Sequence, residues 1–355
     1  MNSSLALGLM DGDPGHNASH VEPLLCLIRE SGLRCRPARL SARTANIIFI
    51  AMIFSMVLNF LGNMTIITAI SYFKQLQVLP NTFTFSLAVA DIMVGVVVMP
   101  FYMTQCVYDC WFYSHAFCKV HHFLDAFIST ASTMHLCCIA YDRYLAICDP
   151  MHYRERFTWK TAALLLAAAW LGSLLYVVPV MLGWIVIGIE DMMASRTCPD
   201  NCVFYMNKVF SSCGAFFSFV VPMTIMTLAY VKIYRVARKQ ARSISVQQQG
   251  SQGKSGFNKQ QWAAMKREHN ATKTVSIILG VFMFCWAPFF STIVNDPWID
   301  FKTNSIFWDI VNWFGHVNSA INPYLYGGFN RTFRNAIRIM FSRKFWQPGS
   351  RSAEL

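Results

Sequence analysis

Seven long apolar stretches dominate this chain, and they leave little choice of fold. They lie near Ala45 to Tyr72, Thr82 to Val107, Val120 to Ile147, Thr161 to Ile187, Asn207 to Tyr234, Thr272 to Ile293 and Ser305 to Phe329. A helix needs roughly 20 residues to cross the hydrocarbon core of a bilayer, and each stretch reaches that length. Only helices and closed barrels satisfy every backbone polar group in lipid; runs this long are helical rather than strand-length. Charged residues make up 14% of the chain and hydrophobic residues 55%. Soluble domains carry about 25% charge, so water is the wrong solvent for most of this sequence. The predicted class is an all-α membrane protein, a seven-transmembrane helix bundle.

Charge asymmetry predicts its orientation. Lys74 sits in the first turn between spans, Arg154, Arg156 and Lys160 in the third, and Lys232 to Arg267 supply nine basic residues in the fifth. The segment after the last span adds Arg331, Arg334, Arg338, Arg343 and Lys344, whereas the opposite loops offer only Arg196, Lys208 and Lys302. Basic loops stay in the cytoplasm, which puts the N-terminus outside and the C-terminus inside. The net charge of +12 is on this reading a topology signal and no sign of nucleic-acid binding.

Three regions follow: an extracellular arm over 1–44, the membrane domain over 45–329, and a tail over 330–355. Residues 240–261, rich in Gln, Ser and Gly, read as a flexible linker. In the tail, Phe333, Ile337 and Phe341 recur every four residues beside Arg331, Arg334 and Arg338, the pattern of an amphipathic helix lying on the lipid surface. The first 44 residues contain no apolar core of a cleavable signal, so the first span is expected to act as anchor. Asn2 and Asn17 stand in glycosylation triplets on the predicted outer side. Seven cysteines fall on the oxidising face (Cys26, Cys35, Cys106, Cys110, Cys118, Cys198 and Cys202). Seven is odd, so one of them is expected to sit unpaired or just within a helix. No CxxC metal pair or HExxH motif occurs.

Carboxylates stand inside these apolar runs, Asp125 and Asp91 among them. Ionisable groups at membrane depth are costly and mark functional sites. Asp125 in the third span is the candidate for pairing with an incoming ammonium group. Trp286, Phe289 and Phe290 follow on the sixth span and Trp313 on the seventh, aromatic faces that add cation–π attraction to a charge-assisted bond. Ser129 lies one turn below Asp125. Asp309, Asn312 and His316 share one face of the seventh span, with Asp309 nearer the outer mouth, where a second acid suits a second ammonium. Gly214 and Ala215 leave Ser218 as the hydroxyl of the fifth span for a phenolic ligand. The other buried acid, Asp91, is expected to centre a polar network of Ser132, Asn318, Ser319 and Asn322. Carboxylate, hydroxyl and amide oxygens resemble a small monovalent-cation site, and Na⁺ is its expected occupant. No other cofactor is implied.

The motifs carry a resemblance. Gly62-Asn63, Leu87-Ala88-Val89-Ala90-Asp91, Asp142-Arg143-Tyr144, Trp170, Pro222 with Tyr230, Phe282 with Cys285-Trp286-Ala287-Pro288, and Asn322-Pro323-Tyr324-Leu325-Tyr326 occur in order over about Ala45 to Phe341. Together they resemble the rhodopsin-like G protein-coupled receptors. The resemblance implies that ligand binding outside is transmitted to a heterotrimeric G protein inside. It gives Asp142, Arg143, Tyr144, Tyr230, Pro323 and Tyr326 the switching and coupling roles, with Glu268 within reach of Arg143. Among family members Asp125 resembles the ligand anchor of the amine receptors. His135-Leu136-Cys137-Cys138-Ile139 and Asp296-Pro297-Trp298-Ile299-Asp300 look most like the type-4 serotonin receptor, and trace-amine-associated receptors are its relatives. The short tail and compact third inner loop favour the trace-amine type. Both resemblances imply the stimulatory G protein and rising cAMP. They also imply a bridge from Cys202 to Cys118 and one from Cys198 to Cys26 or Cys35. Two departures stand out: His316 replaces the Tyr that commonly caps the amine-binding Asp, and Thr133 replaces a mid-membrane Ile.

Other classes fit less well. A transporter needs paired broken helices and internal symmetry, a retinal photoreceptor needs a Lys in the seventh span, and an enzyme needs a nucleophile–base pair; none of these is visible. A binding-only decoy receptor would keep Asp125 while losing Arg143 or Tyr326, and both are present.

Overall fold

Every apolar run folds as a helix, and the helix ends fall where side chains can satisfy the orphaned backbone amides. The computed structural model describes residues 40–196, 202–250 and 277–342. Ser41 caps α1 (Ala42–Tyr72), accepting from the Thr44 amide. Helix α2 spans Asn81–Tyr108, Ser114 caps α3 (His115–Cys148) and Thr158 caps α4 (Trp159–Met181). Asn207 caps α5, which starts at Lys208 and runs on to Gly250. Helix α6 spans Ile277–Ile299, and Asn304 caps α7 (Ser305–Phe329). Asn330 closes α7 and caps α8 (Arg331–Met340).

Six of these helices are long and apolar enough to cross a membrane. The seventh, α7, has the length at 25 residues but carries Asn312, His316, Asn318 and Asn322, which lower its mean hydropathy. The fold is a seven-helix bundle and the protein a multi-pass membrane protein. The outward faces agree: Ile47, Leu164, Leu175 and Phe284 are each at least 61% exposed, which only a lipid surroundings makes sensible.

Helix α3 is the central post, packed against α2, α4 and α5, while α7 packs on α1 and α2. Helix α4 is peripheral and buries only Ala162, Ala169, Ser173 and Val177, small side chains that permit close approach. The largest apolar core lies toward the basic end of the bundle, where Phe73, Phe83, Leu87, Met226, Ile233 and Phe282 are almost wholly enclosed. Two helices widen locally into π turns, at Val94–Val98 in α2 and Phe216–Val220 in α5. Such turns re-aim the side chains beyond them; the second stands just before Pro222, whose ring cannot donate to a helix.

The structure differs from the sequence expectations in three places. The fourth helix stops at Met181, short of Ile187, because Gly183 takes a left-handed φ of 73° and ends it. The fifth helix extends eleven residues into the segment read as a flexible linker, since the Gln, Ala and Arg there are good helix formers and Gly250 is the first breaker. Helix α8 ends at Met340; Phe333 is buried against Tyr326, whereas Phe341 lies past the helix end and is 80% exposed. Asn2, Asn17, Cys26, Cys35, Cys198, Glu268 and residues 251–261 lie outside the described residues.

Gly62 sets the spacing of α1 and α7. A Cβ there would stand 2.6 Å from Cγ of Pro323 and 3.2 Å from the Tyr324 ring. Pro323 is rigid and cannot yield, so Gly62→Ala should destabilise the bundle by about 1–3 kcal/mol, the usual cost of overpacking. The check is the melting temperature of the purified protein; an unchanged value would show that the helices separate freely at that point.

Candidate ligand-binding site

At the end of the bundle away from the basic segments, the helices enclose a cavity of about 660 Å³. One wall is a loop segment held by the disulfide from Cys118, at the start of α3, to Cys202. Gln105 donates to the Cys202 carbonyl at 2.8 Å, and the His122 ring lies 4.7 Å from that of Phe204. His122 Nε2 also sits 3.2 Å from Cys202 Sγ. The two sulfurs are joined, so no thiolate is left there to bind a metal. Cys110 is disulfide-bonded as well, to a partner outside the described residues. Cys106 sits within α2.

Asp125 projects from α3 into the cavity. It accepts from His316 Nε2 at 2.8 Å and from the Ser129 hydroxyl at 3.2 Å. The His316 side chain is fully buried, while that of Asp125 keeps 19% exposure toward the cavity. Trp286, Phe289 and Phe290 form the aromatic wall from α6, their rings 5.3–5.9 Å apart. Trp286 lies flat on α7 because residue 315 is glycine; a Cβ at Gly315 would meet the indole at 2.8 Å. Nearer the mouth, Tyr102 of α2 donates to Asp309 at 3.2 Å. Asp296 accepts from the Thr303 amide and the Trp308 indole, both at 3.2 Å, and from the Thr303 hydroxyl. Asp109, left-handed at φ 50°, completes a set of four carboxylates with Asp125, Asp296 and Asp309, and no Lys or Arg stands among the described lining residues. Lys208 lies outside this set, 4.7 Å over the Trp298 ring.

Residues 62–326 match the family model described as 7 transmembrane receptor (rhodopsin family). The chain belongs to the rhodopsin family of seven-transmembrane receptors. It is 38% identical to Trace amine-associated receptor 365 of Petromyzon marinus over 94% of this chain and 89% of that one. It is 36% identical to Trace amine-associated receptor 4 of Mus musculus over 86% of this chain and 88% of that one. With 5-hydroxytryptamine receptor 4 of Homo sapiens the identity is 39%, over 79% of this chain and 75% of that one. The protein is therefore a signalling receptor and not an enzyme.

Most of the residues singled out in the receptor's sequence line or border this cavity: Asp125, Ser129, Ser218, Trp286, Phe289, Phe290, Asp309 and Asn312 line it, and His316 closes it from behind Asp125. Trp313 does not. It stacks behind Tyr102 at 6.2 Å and packs between α1 and α2. Trp308 takes the position expected of it, on the same helical face as Asn312 and His316 at four-residue steps, a spacing the sequence already contained. Ser218 turns its hydroxyl back onto the Gly214 carbonyl at 2.6 Å, and Ser211 is a second α5 serine lining the cavity. Tyr176 reaches in from α4, with room for its hydroxyl because Gly214 has no Cβ. Tyr102 and Tyr176 carried no periodic signal in the sequence.

Below the cavity, Asp91 accepts from Ser132 at 3.1 Å and from Asn322 at 2.9 Å, fully buried. Asn63 donates to the Asn59 and Ser319 carbonyls at 3.0 and 3.1 Å. The side-chain oxygens of Asn318 and Asn322 are buried acceptors with no donor among the described residues. At the basic end, Asp142 is gripped by Arg143, whose Nε donates at 2.7 Å, and by the Tyr153 hydroxyl at 2.6 Å. Tyr153 belongs to a helical turn after α3, a partner the sequence gave no hint of. Lys232 stands 5.7 Å over the Tyr144 ring. Tyr230 and Tyr326 are buried nearby, the former with its hydroxyl unpartnered among the described residues.

The two tryptophans of α7 should separate under mutation. Trp308→Ala removes cavity wall and a donor to Asp296, and is expected to shift agonist potency at least tenfold at normal surface expression. Trp313→Ala removes packing between helices and should lower the melting temperature, at about 3–5 kcal/mol for such a truncation, with ligand preference retained. Dose–response curves alongside thermal melts decide the assignment.

Proposed function

We propose that the receptor is activated by an extracellular amine whose ammonium group pairs with Asp125, and that it raises cAMP through the stimulatory heterotrimeric G protein. The observation that carries this reading is the anionic, aromatic-walled cavity: among the described residues that line it stand four carboxylates and no lysine or arginine. An ion pair 4 Å apart at an effective dielectric near 20 is worth about 4 kcal/mol before desolvation. That is ample to prefer charged amines over neutral analogues. The relatives named for trace amines and for 5-hydroxytryptamine support the class of ligand. In this reading the disulfide end faces outward and the basic end inward, in line with the positive-inside rule. Surface labelling of an N-terminal tag on intact cells checks that orientation.

Within that class a ligand with two amines fits best. Asp309 stands above Asp125 on the cavity wall, and Tyr102 holds its carboxylate from one side. A 5-hydroxytryptamine-like ligand fits less well, because the Ser218 hydroxyl is turned to its own backbone. A flexible diamine loses rotamer entropy on binding, and a partly exposed second ion pair returns only about 1 kcal/mol. The expected advantage over a monoamine is thus at most about fivefold. The experiment compares an alkyl monoamine, the matching diamine, a polyamine and 5-hydroxytryptamine with cAMP and calcium readouts. Asp125→Asn should cut potency at least 100-fold for all amines with surface expression retained, and Asp309→Ala should remove only the diamine's advantage. Unchanged potency in Asp125→Asn, or a response confined to calcium, would overturn the reading.

The polar network supports a resident Na⁺. Asp91, Ser132, Asn318 and Asn322 would hold it: one carboxylate and neutral oxygens, two of them buried acceptors in need of a cation or donor. Replacing NaCl by choline chloride should shift agonist potency in the wild type and leave Asp91→Asn unmoved.

A further inference from the structure

Helices α4 and α5 each pack on α3 and hardly on each other. The ligand cavity runs into the gap between them. From α4, Tyr176, Pro179 and Val180 line it, at the three- and four-residue steps of one helix face. From α5, Phe210, Cys213, Gly214 and Phe217 line it in the same way. Two of these side chains also belong to the outer surface of the bundle: Phe217 is 58% exposed, and Cys213 is exposed. A side chain that lines a cavity and also stands on the lipid-facing surface marks a place where the wall is not closed. The interior face of α5 differs, since Ser211, Ala215 and Ser218 are buried there. Glycine at 214 sets the width of the gap. A Cβ there would stand 3.0 Å from the Tyr176 hydroxyl and 3.7 Å from Cε of Met206, so any larger side chain would begin to fill it. Neither stripe carries a charge, which makes this flank a poor seat for an ammonium group and a good one for an alkyl or aryl group. The four carboxylates of the cavity stand elsewhere on its wall, Asp125 on α3 and Asp309 on α7 among them. The cavity thus joins an anionic side to an apolar flank that opens on hydrocarbon. A molecule that satisfies both is amphiphilic, with an ammonium head and an apolar tail.

We propose that the gap between α4 and α5 is a tail slot for amphiphilic amines: the ammonium pairs with Asp125, and the tail leaves the cavity past Tyr176 and Gly214 to end among the lipid chains. This rests on the reading of Asp125 as the amine anchor and adds lipid-partitioning amines to the ligands it takes. The tail exchanges water for protein and lipid. Each methylene so removed gains about fourfold in affinity over an aqueous amine. A closed cavity of about 660 Å³ would reverse that gain once the chain outgrew it, because overpacking a fixed space is costly. A slot open to the bilayer has no such cut-off, since lipid tails are as apolar as its walls. Tolerance of long chains is therefore the property that separates the slot from a closed pocket.

Two measurements test this, one of them independent of activation. Receptor in lipid nanodiscs is photolabelled with a twelve-carbon alkylamine carrying a diazirine at mid-chain, and with the matching alcohol. Cross-links from the amine are expected to concentrate on residues 176–180 and 210–217, above the level on the lipid-facing side of α1. Asp125→Asn should lower them to the level that the alcohol gives. Cross-links no denser there than on α1 overturn the proposal. Dense cross-links that Asp125→Asn leaves unchanged keep the apolar slot and overturn the reading of Asp125 as anchor. The second measurement is the ratio of the cAMP potencies of dodecylamine and pentylamine, each taken against cells without the receptor. Dodecylamine should at least match pentylamine on the wild type. Gly214→Leu plugs the gap and should lower the ratio about tenfold, whereas Tyr176→Ala widens it and should not lower the ratio. A wild type that rejects dodecylamine, or a Gly214→Leu ratio equal to that of the wild type, overturns the slot. If the photolabel falls as expected and neither amine raises cAMP, the slot stands and the coupling reading falls.

Discussion

A polar group inside a lipid-embedded bundle faces hydrocarbon instead of water, and it must find its partner within the protein, often on another helix. That requirement organises the receptor from end to end. Asp91 draws α3 and α7 onto α2 through Ser132 and Asn322, and Asn63 ties α1 to the α7 backbone. Trp170 of α4 donates to Ser86 of α2, which in turn meets His135 of α3 at 2.7 Å. These contacts fix the rotation of each helix about its own axis, because a misrotated helix would strand an amide or a carboxylate in hydrocarbon. Apolar packing fills the space between them without specifying it so sharply, since lipid tails are as apolar as leucine.

The same requirement separates the two ends of the molecule. Toward the basic end the interior is dense, with Phe73, Phe83, Phe282 and Ile278 wholly enclosed, and the acid there, Asp142, is matched by Arg143 and Tyr153. Toward the disulfide end the helices leave a cavity, and among the described residues that line it the carboxylates have no Lys or Arg to match them. An excess of one charge in a partly desolvated space is an incomplete structure that a ligand of opposite charge completes. Between the ends lie Trp286, on the cavity wall, and Phe282 of the same helix, their rings 6.4 Å apart.

The number and placement of the helices were legible because apolar length is a direct physical demand of the bilayer. Asp125 and Asp91 were legible for the converse reason: a carboxylate in an apolar run has to be doing something. His316 was visible as a departure at a position facing Asp125. What could not be read was rotation at finer grain. Trp308 and Trp313 are five residues apart on α7, and which faces inward is decided by Gly315 seating Trp286 and by Tyr102 stacking on Trp313. Contacts between distant segments were equally hidden, as with Tyr153 on Asp142 or Tyr176 beside Gly214. The extension of α5 through Gly250 shows a compositional reading losing to helix propensity continued from a stable span.

Gly315 has a mechanical meaning as well as a steric one. Where two helices meet through interlocking side chains, sliding one past the other forces rotamers to jump, and motion comes in discrete steps. Here the large plane of Trp286 rests on a strip of bare backbone. No Cβ projects to catch it. At that point dispersion alone holds the indole, and no α7 side chain interlocks with it to oppose a change in its orientation.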